Sequence, residues 1–350
     1  MAMATHAAKT PTAVLRRPVR SASDREQEAT PEKVERPSSL LQILPVVIIL
    51  ACGWFLVVQF RHLGDFSILR LAPAPPPSPP DGPVEIVVAS LKREDTSWVQ
   101  DYLHDWGRSV YVVDDPKARL KVPKNKGREA MAYLTHIIDR YDTLANVTVF
   151  AHSSRFAWHN DDPDYDLVRT LRHLKLDYVE ATGYVNLRCA LTLGCPAEIK
   201  PHVDAQGPEV PVTTTKQVYR QAFRELLPGL EVPVAVGVSC CSQFAVSRDT
   251  IHRWSLERWV RWRDWLLKTP LEDDISGRVL EYTWHIIFGK EAVFCPSPAD
   301  CYCKAFGMCN LKCDEAQCEG RYVLPPYATL PPGWPKKGWK GEARNVSAAP

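Results

Sequence analysis

The run Leu40–Phe60 constrains this chain more than any other feature, because its 21 residues carry no charge. A helix needs about 20 apolar residues to cross the hydrocarbon core of a bilayer, and LLQILPVVIILACGWFLVVQF has that length. Gln42, Pro45 and Gln59 sit near its ends and weaken it without breaking it. The run begins far from Met1 and has no small-residue cleavage site, which favours a retained signal anchor over a removed leader. Ala72-Pro-Ala-Pro-Pro-Pro-Ser-Pro-Pro80 follows closely and reads as an extended connector. Together they describe an anchored protein with a stalk. The competing reading is a buried helix in a soluble core.

Arg20, Arg25, Lys33 and Arg36 precede the run, and only Arg61 and Arg70 follow it closely. That asymmetry places the amino-terminal side in the cytoplasm. The acceptor sequons Asn146-Val-Thr148 and Asn345-Val-Ser347, and ten of the eleven cysteines, come after the run. An even cysteine count in one compartment fits the oxidising secretory lumen. The expected organisation is a cytoplasmic tail over 1–39, a transmembrane helix over 40–60 and a proline-rich stem over 61–83. A lumenal domain over 84–324 and a disordered tail over 325–350 follow, with the protein in the Golgi or endoplasmic reticulum. A net charge of +2 gives no bulk affinity for nucleic acid.

The lumenal part is about 240 residues, which suits one large domain. Val84–Ser90 is a β-branched run expected to be a buried strand. A helix over Asp95–Trp106, a strand over Ser109–Val113 and a strand over Val147–Phe150 follow. Between the last two, Lys124-Asn-Lys-Gly-Arg128 opens an amphipathic helix with Ala130, Leu134, Ile137, Ile138 and Tyr141 on one face. Helices are expected near Lys216–Leu227, Ser255–Lys268 and Val279–Phe288, with strands over Val232–Val238 and Gln243–Ser247. Alternating strands and helices predict an α/β fold: a single mainly parallel mixed sheet with helices on both faces. Ligands bind at the carboxyl ends of the strands of such sheets. The loops Leu91–Asp95, Asp114–Pro116 and His152–Asp164 should therefore face one crevice.

This order of pieces resembles the nucleotide-sugar half of a glycosyltransferase of the A-type fold. Val87-Val-Ala-Ser-Leu-Lys-Arg-Glu-Asp95, Val112-Val-Asp-Asp115, Asn125-Lys-Gly127 and Val147-Thr-Val-Phe150 carry the likeness. More closely, the chain resembles the domain-of-unknown-function family 3431, which is largely fungal. The shared blocks are Asn125–Ala130, Tyr133-Leu through Arg140-Tyr-Asp142, Arg155 through Trp158-His-Asn160, Gly183–Asn186, Gln243–Arg248 and Trp284–Gly289. The glycosyltransferase resemblance implies a nucleotide sugar as donor, a carbohydrate, protein or metabolite as acceptor, and Mn or Mg on the diphosphate. It also implies an Asp-x-Asp after the third strand. Here that position reads Ala151-His-Ser153, and Asp162-Pro-Asp164 comes about ten residues late.

Glycosyl transfer needs a neutralised diphosphate, a proton acceptor and a grip on the nucleotide. Lys124, Lys126 and Arg128 precede a helix whose free N–H groups favour an anion, so they form either a diphosphate cradle or a solvated basic loop. Asp114 either grips the nucleoside or, with Asp115, makes the turn before Pro116. The loop holding His152, His159, Asp161, Asp162 and Asp164 is the densest set of hard ligands and bases. From it Asp162 and Asp164 are candidate metal ligands, and His159 is a candidate for proton transfer, against the duller reading of a surface loop. Glu281 and His285 lie four apart, as on one helix face. They suggest a base and a late metal ligand, or a packed core pair.

Trp254, Trp259, Trp262 and Trp265, interleaved with arginines, suit sugar stacking, a membrane surface or core packing. The cysteines of 295–318 lack a Cys-x-x-Cys pair and read as disulfides rather than zinc ligands. Cys189 and Cys195 are expected to close a small loop, and Cys240 and Cys241 to seek separate partners. There is no Gly-x-Ser-x-Gly and no His-Glu-x-x-His, so a serine hydrolase or zinc protease has no support. A non-catalytic carbohydrate-binding or scaffold protein, or an accessory protein of fungal secondary metabolism, remains the alternative to an enzyme.

Overall fold

The main sheet is built from short β-branched and aromatic runs whose side chains alternate between two apolar layers. A computed structural model of the protein describes Trp54 and residues 83–205, 214–321, 330, 333–337 and 341–344. The first half runs β1 (Val84–Ser90), α1 (Ser97–Tyr102), β2 (Gly107–Val112), α2 (Ala130–Arg140), β3 (Val147–His152), α3 (Leu167–His173), α4 (Leu176–Thr182), β4 (Tyr184–Asn186) and α5 (Pro201–Asp204). The second runs α6 (Thr215–Leu226), β5 (Gly237–Val238), β6 (Phe244–Ser247), α7 (Arg248–Ile251), α8 (Leu256–Lys268), α9 (Asp273–Glu281), α10 (Trp284–Ile287), β7 (Val293–Phe294) and α11 (Pro298–Phe306). The uncharged run, the stem up to Gly82, the amino-terminal tail and Asn345 lie outside the described residues, Trp54 excepted. No helix among the described residues is long and apolar enough to cross a membrane.

The five-stranded sheet has the order β2-β1-β3-β6-β4. β1 pairs in parallel with β2 and with β3, while β6 is antiparallel to β3 and to β4. Four strands of this sheet therefore point one way and β6 is reversed. β5 and β7 form a separate parallel pair. On one face Ile86, Val88 and Val149 pack against Trp98, Leu171 and Phe306. On the other Val87, Phe150 and Phe244 pack against Leu134, Ile137, Trp259 and Trp284. Helices cover both faces, as the alternating pattern requires.

Several expected elements change for identifiable reasons. The strand expected over Val232–Val238 shrinks to Gly237–Val238, because Pro233 has no N–H to pair and Val234 points into solvent, 81% exposed. The helix expected over Val279–Phe288 is two helices, α9 and α10, broken at Tyr282–Thr283. There the Thr283 hydroxyl donates to Val279 O at 2.6 Å, competing with the backbone ladder. The tryptophan helix is a core element: Trp259 and Trp262 are fully enclosed, and Trp262 Nε1 donates to Leu226 O at 2.7 Å.

The cysteines correct two expectations. The pairs are Cys189–Cys301, Cys195–Cys295, Cys240–Cys241, Cys303–Cys309 and Cys313–Cys318. Cys189 and Cys195 do not close a loop on each other, because the chain returns at 295–301 to bond both. Cys240 and Cys241 do bond each other. The backbone turns sharply there, with Cys241 at φ 93° and Ser242 at φ 54°.

Candidate functional site

The connections leave β1 toward β2 on one side and return from β2 to β3 on the other, so a gap opens above the carboxyl end of β1. The register Ser90↔Val112 and Ala89↔His152 brings the ends of all three strands to the same level. The gap is a crevice of about 700 Å³, within the usual range for small-ligand sites. Leu91, Arg93 and Glu94 from the loop after β1 line it, with Asn125, Arg128 and Glu129 before α2. His152, Ser153, Ser154 and His159 and the acids Glu272, Asp273 and Asp274 complete the wall.

A chain of polar groups occupies one side. Glu129 Oε1 lies 3.6 Å from His152 Nε2, and His152 Nδ1 lies 2.9 Å from His159 Nε2. The His152 backbone N–H donates to Gln243 Oε1 at 3.1 Å, and Gln243 Nε2 donates to Asn160 Oδ1 at 3.1 Å, which fixes the end of β3. Burial, then the neighbouring His152 and Arg188, hold the His159 imidazole well below its ordinary pKa, so it is neutral. When His159 carries Nε2–H it donates to His152 Nδ1, and His152 then presents Nε2–H on the side of Glu129. At 3.6 Å the Glu129–His152 contact is longer than a hydrogen bond, and Glu129 lines the hollow as a candidate proton acceptor.

Arg128 is presented by a tightly clamped turn. Gly127 and Arg128 both take left-handed backbone, at φ 71° and 52°. Lys126 Nζ donates to Thr269 O, and Gly127 N–H donates to Asp273 Oδ1 at 2.5 Å. A Cβ on Gly277 would come within 3.2 Å of Arg128 Cγ, so that glycine lets the turn nest on α9. Lys126 is thus turned away from the crevice and holds the turn to the end of α8, while Arg128 faces the hollow.

The other sequence candidates are spread out. Asp114 Oδ1 accepts the Lys92 N–H at 2.7 Å and braces the loop after β1, while Asp115 pairs with Lys92 Nζ at 3.3 Å. Asp162 Oδ1 accepts from Asp164 N and Asp166 N at 2.9 and 3.3 Å, and its other oxygen lies 3.5 Å from Arg321 Nη1. Burial raises its pKa. Asp164 is tied to Arg169 at 2.8 Å and Arg344 at 2.9 Å. His285 is fully buried in the core, with Nε2 donating to Ala292 O at 3.0 Å. Asp162, Asp164 and His285 are thus not brought together. No group of three or more His, Cys, Asp or Glu side chains able to hold a metal ion occurs among the described residues.

Glu281 stands behind the crevice wall. Its Oε1 accepts the Cys241 N–H at 2.7 Å, and burial raises its pKa against the opposing Cys241 N–H and Arg278, with smaller contributions from Glu129 (raising) and His152 (lowering). The crevice also holds Glu129 and the run Glu272-Asp-Asp274, which the sequence alone does not single out as site residues. Glu129 lies inside the block Asn125–Ala130, and three acids opening a helix are a visible signal, but neither shows from sequence that it meets β3.

A family model described as "Protein of unknown function (DUF3431)" matches residues 86–304. No curated protein and no solved structure matches.

Proposed function

The chain belongs to the DUF3431 family, and from its crevice we propose a lumenal glycosyltransferase-like enzyme that takes a nucleotide sugar as donor. The observation that carries the reading is the hollow above β1 and β3, which joins the projected Arg128 to the Glu129–His152–His159 chain. Parallel sheets bind nucleotides at such a reversal of strand order. In this reading the acceptor hydroxyl gives its proton to Glu129 as its oxygen bonds the sugar carbon. The bond from that carbon to the diphosphate breaks, and Arg93 and Arg128 take up the developing charge. His152 orients Glu129, and Asp114 holds the loop that meets the nucleoside. The residues expected to hold Mn or Mg do not fit a shared site, so no step is routed through a metal.

The reading includes the single-pass, type II arrangement with the domain in the Golgi or endoplasmic reticulum lumen, resting on the uncharged run and the five disulfides. Calorimetric titration of the full-length chain with UDP and with GDP, with and without manganese, tests the site. Saturable binding weakened about tenfold or more by Arg128→Ala is expected, since a charge-assisted hydrogen bond is at stake. No binding of either nucleotide sinks it.

One observation favours a second reading, a non-catalytic carbohydrate-binding scaffold. The crevice wall carries five carboxylates (Glu94, Glu129, Glu272, Asp273 and Asp274) against Arg93 and Arg128. Sugar binding without nucleotide binding would select it.

A further inference from the structure

A second cavity, of about 210 Å³, lies at the outer edge of β4 and shares no residue with the crevice. Tyr178 and Thr182 of α4, Tyr184 of β4, Phe294 of β7 and Lys290 are on its wall. Lys290 precedes β7, and its ammonium is half-buried. Nζ donates to the Thr182 carbonyl at 2.7 Å and lies 5.3 Å from the centre of the Phe294 ring. Both neighbours are cavity residues, so the charge sits at the cavity wall.

No carboxylate offsets that charge among the described residues. Its nearest charged influence is another cation, Arg253, and burial together with Arg253 lowers the Lys290 pKa. Asp300, an acid on the same wall, is already held by Lys304 at 2.9 Å. Half-burial strips part of the water from this ammonium, and one hydrogen bond uses only one of its three donors. What Lys290 lacks among the described residues is a carboxylate partner.

Three rings, Tyr178, Tyr184 and Phe294, share its wall with aliphatic and polar side chains, and its volume exceeds the ~150 Å³ that accommodates a benzene ring. We propose that this cavity is a binding site for a small aromatic carboxylate, with the carboxylate on Lys290 Nζ and the ring against Tyr178 and Phe294. The site stands whether or not the crevice takes a nucleotide sugar.

Sodium benzoate is the probe, titrated calorimetrically into the full-length chain, with benzyl alcohol and sodium chloride at matched concentrations alongside. Saturable benzoate binding is expected, with neither control reproducing it. Lys290→Gln keeps a donor for Thr182 O but removes the charge, and is expected to weaken benzoate about tenfold or more. Undiminished binding in Lys290→Gln overturns the proposal. So does equal binding of benzyl alcohol, displacement of benzoate by chloride at equal concentration, or no saturable binding to the native chain.

Discussion

His285 donates Nε2–H to Ala292 O and keeps Nδ1 buried without a partner, and burial holds its pKa down to about 4. An unfolded histidine titrates near 6.5. Between pH 6.5 and about 4 the unfolded chain therefore binds a proton that the native state refuses, and stability falls as pH falls. Above 6.5 the contribution is constant. The slope for one such group approaches about 1.4 kcal/mol per pH unit. His136, lowered to about 3, acts in the same direction. Buried carboxyls with raised pKa, among them Glu85, Asp162 and Glu281, act in the opposite sense. Only a difference between two proteins therefore isolates one group. His285→Gln, which keeps a donor for Ala292 O, is expected to remove roughly that slope in urea titrations at pH 7, 6 and 5. Identical pH dependence in both proteins would refute it. The sequence paired Glu281 with His285 on a shared helix face, and the break between α9 and α10 removes that face. Arg128 was legible because it precedes a helix start, and His159 because it lies within the loop that follows β3. Glu129 was not, since its meaning depends on where β3 ends.

The turn at 126–128 works as an element because each of its residues is fixed differently. A Cβ on Gly127 would meet Leu266 Cδ1 at 2.6 Å, and the residue is already at φ 71°. Gly127→Ala should cost about 2–4 kcal/mol, from left-handed strain and overpacking together. Gly229, at φ 96° with nothing within 4 Å, supplies the comparison. Gly229→Ala carries the backbone cost alone, about 1–2 kcal/mol. Urea unfolding of both variants separates the two costs, and equal losses would mean that Leu266 yields freely. Elements such as β1, β3 and α2 were legible because period and composition agree over their whole length. β4 was not: three residues, Tyr184–Asn186, carry no period, and only pairing with β6 makes them a strand. The same limit hid the shortening of Val232–Val238, where only Val236 meets Ile199 and only Gly237–Val238 pair with β7.

At the scale of the molecule, two disulfides return the carboxyl-terminal segment to 189–195 across sequence separations of 112 and 100 residues. A cross-link closing about 100 residues removes roughly 4.7 kcal/mol of unfolded-chain freedom in the entropy account, against roughly 2 kcal/mol for loops of five or six. Cys195→Ser with Cys295→Ser should therefore lower the melting temperature more than Cys303→Ser with Cys309→Ser, as scanning calorimetry would measure. An equal drop would show that the unfolded chain is already constrained.

Such bonds presuppose an oxidising compartment, and Asn146 gives an independent reading of that compartment. Asn146 is exposed just before β3, but Thr148 of its sequon is fully buried in the strand. A transferase that must grasp Asn-x-Thr reaches this site only before the sheet closes. If the anchor delivers the domain to the lumen during synthesis, Asn146 carries a glycan. Enzymatic deglycosylation then lowers the mass of protein extracted from its native membrane, and Asn146→Gln removes that step of the shift. Protein translated first and exposed to membranes afterwards should stay unmodified, because Thr148 is by then enclosed. An unmodified Asn146 in the extracted protein would count against delivery of this domain to the lumen before its sheet closes.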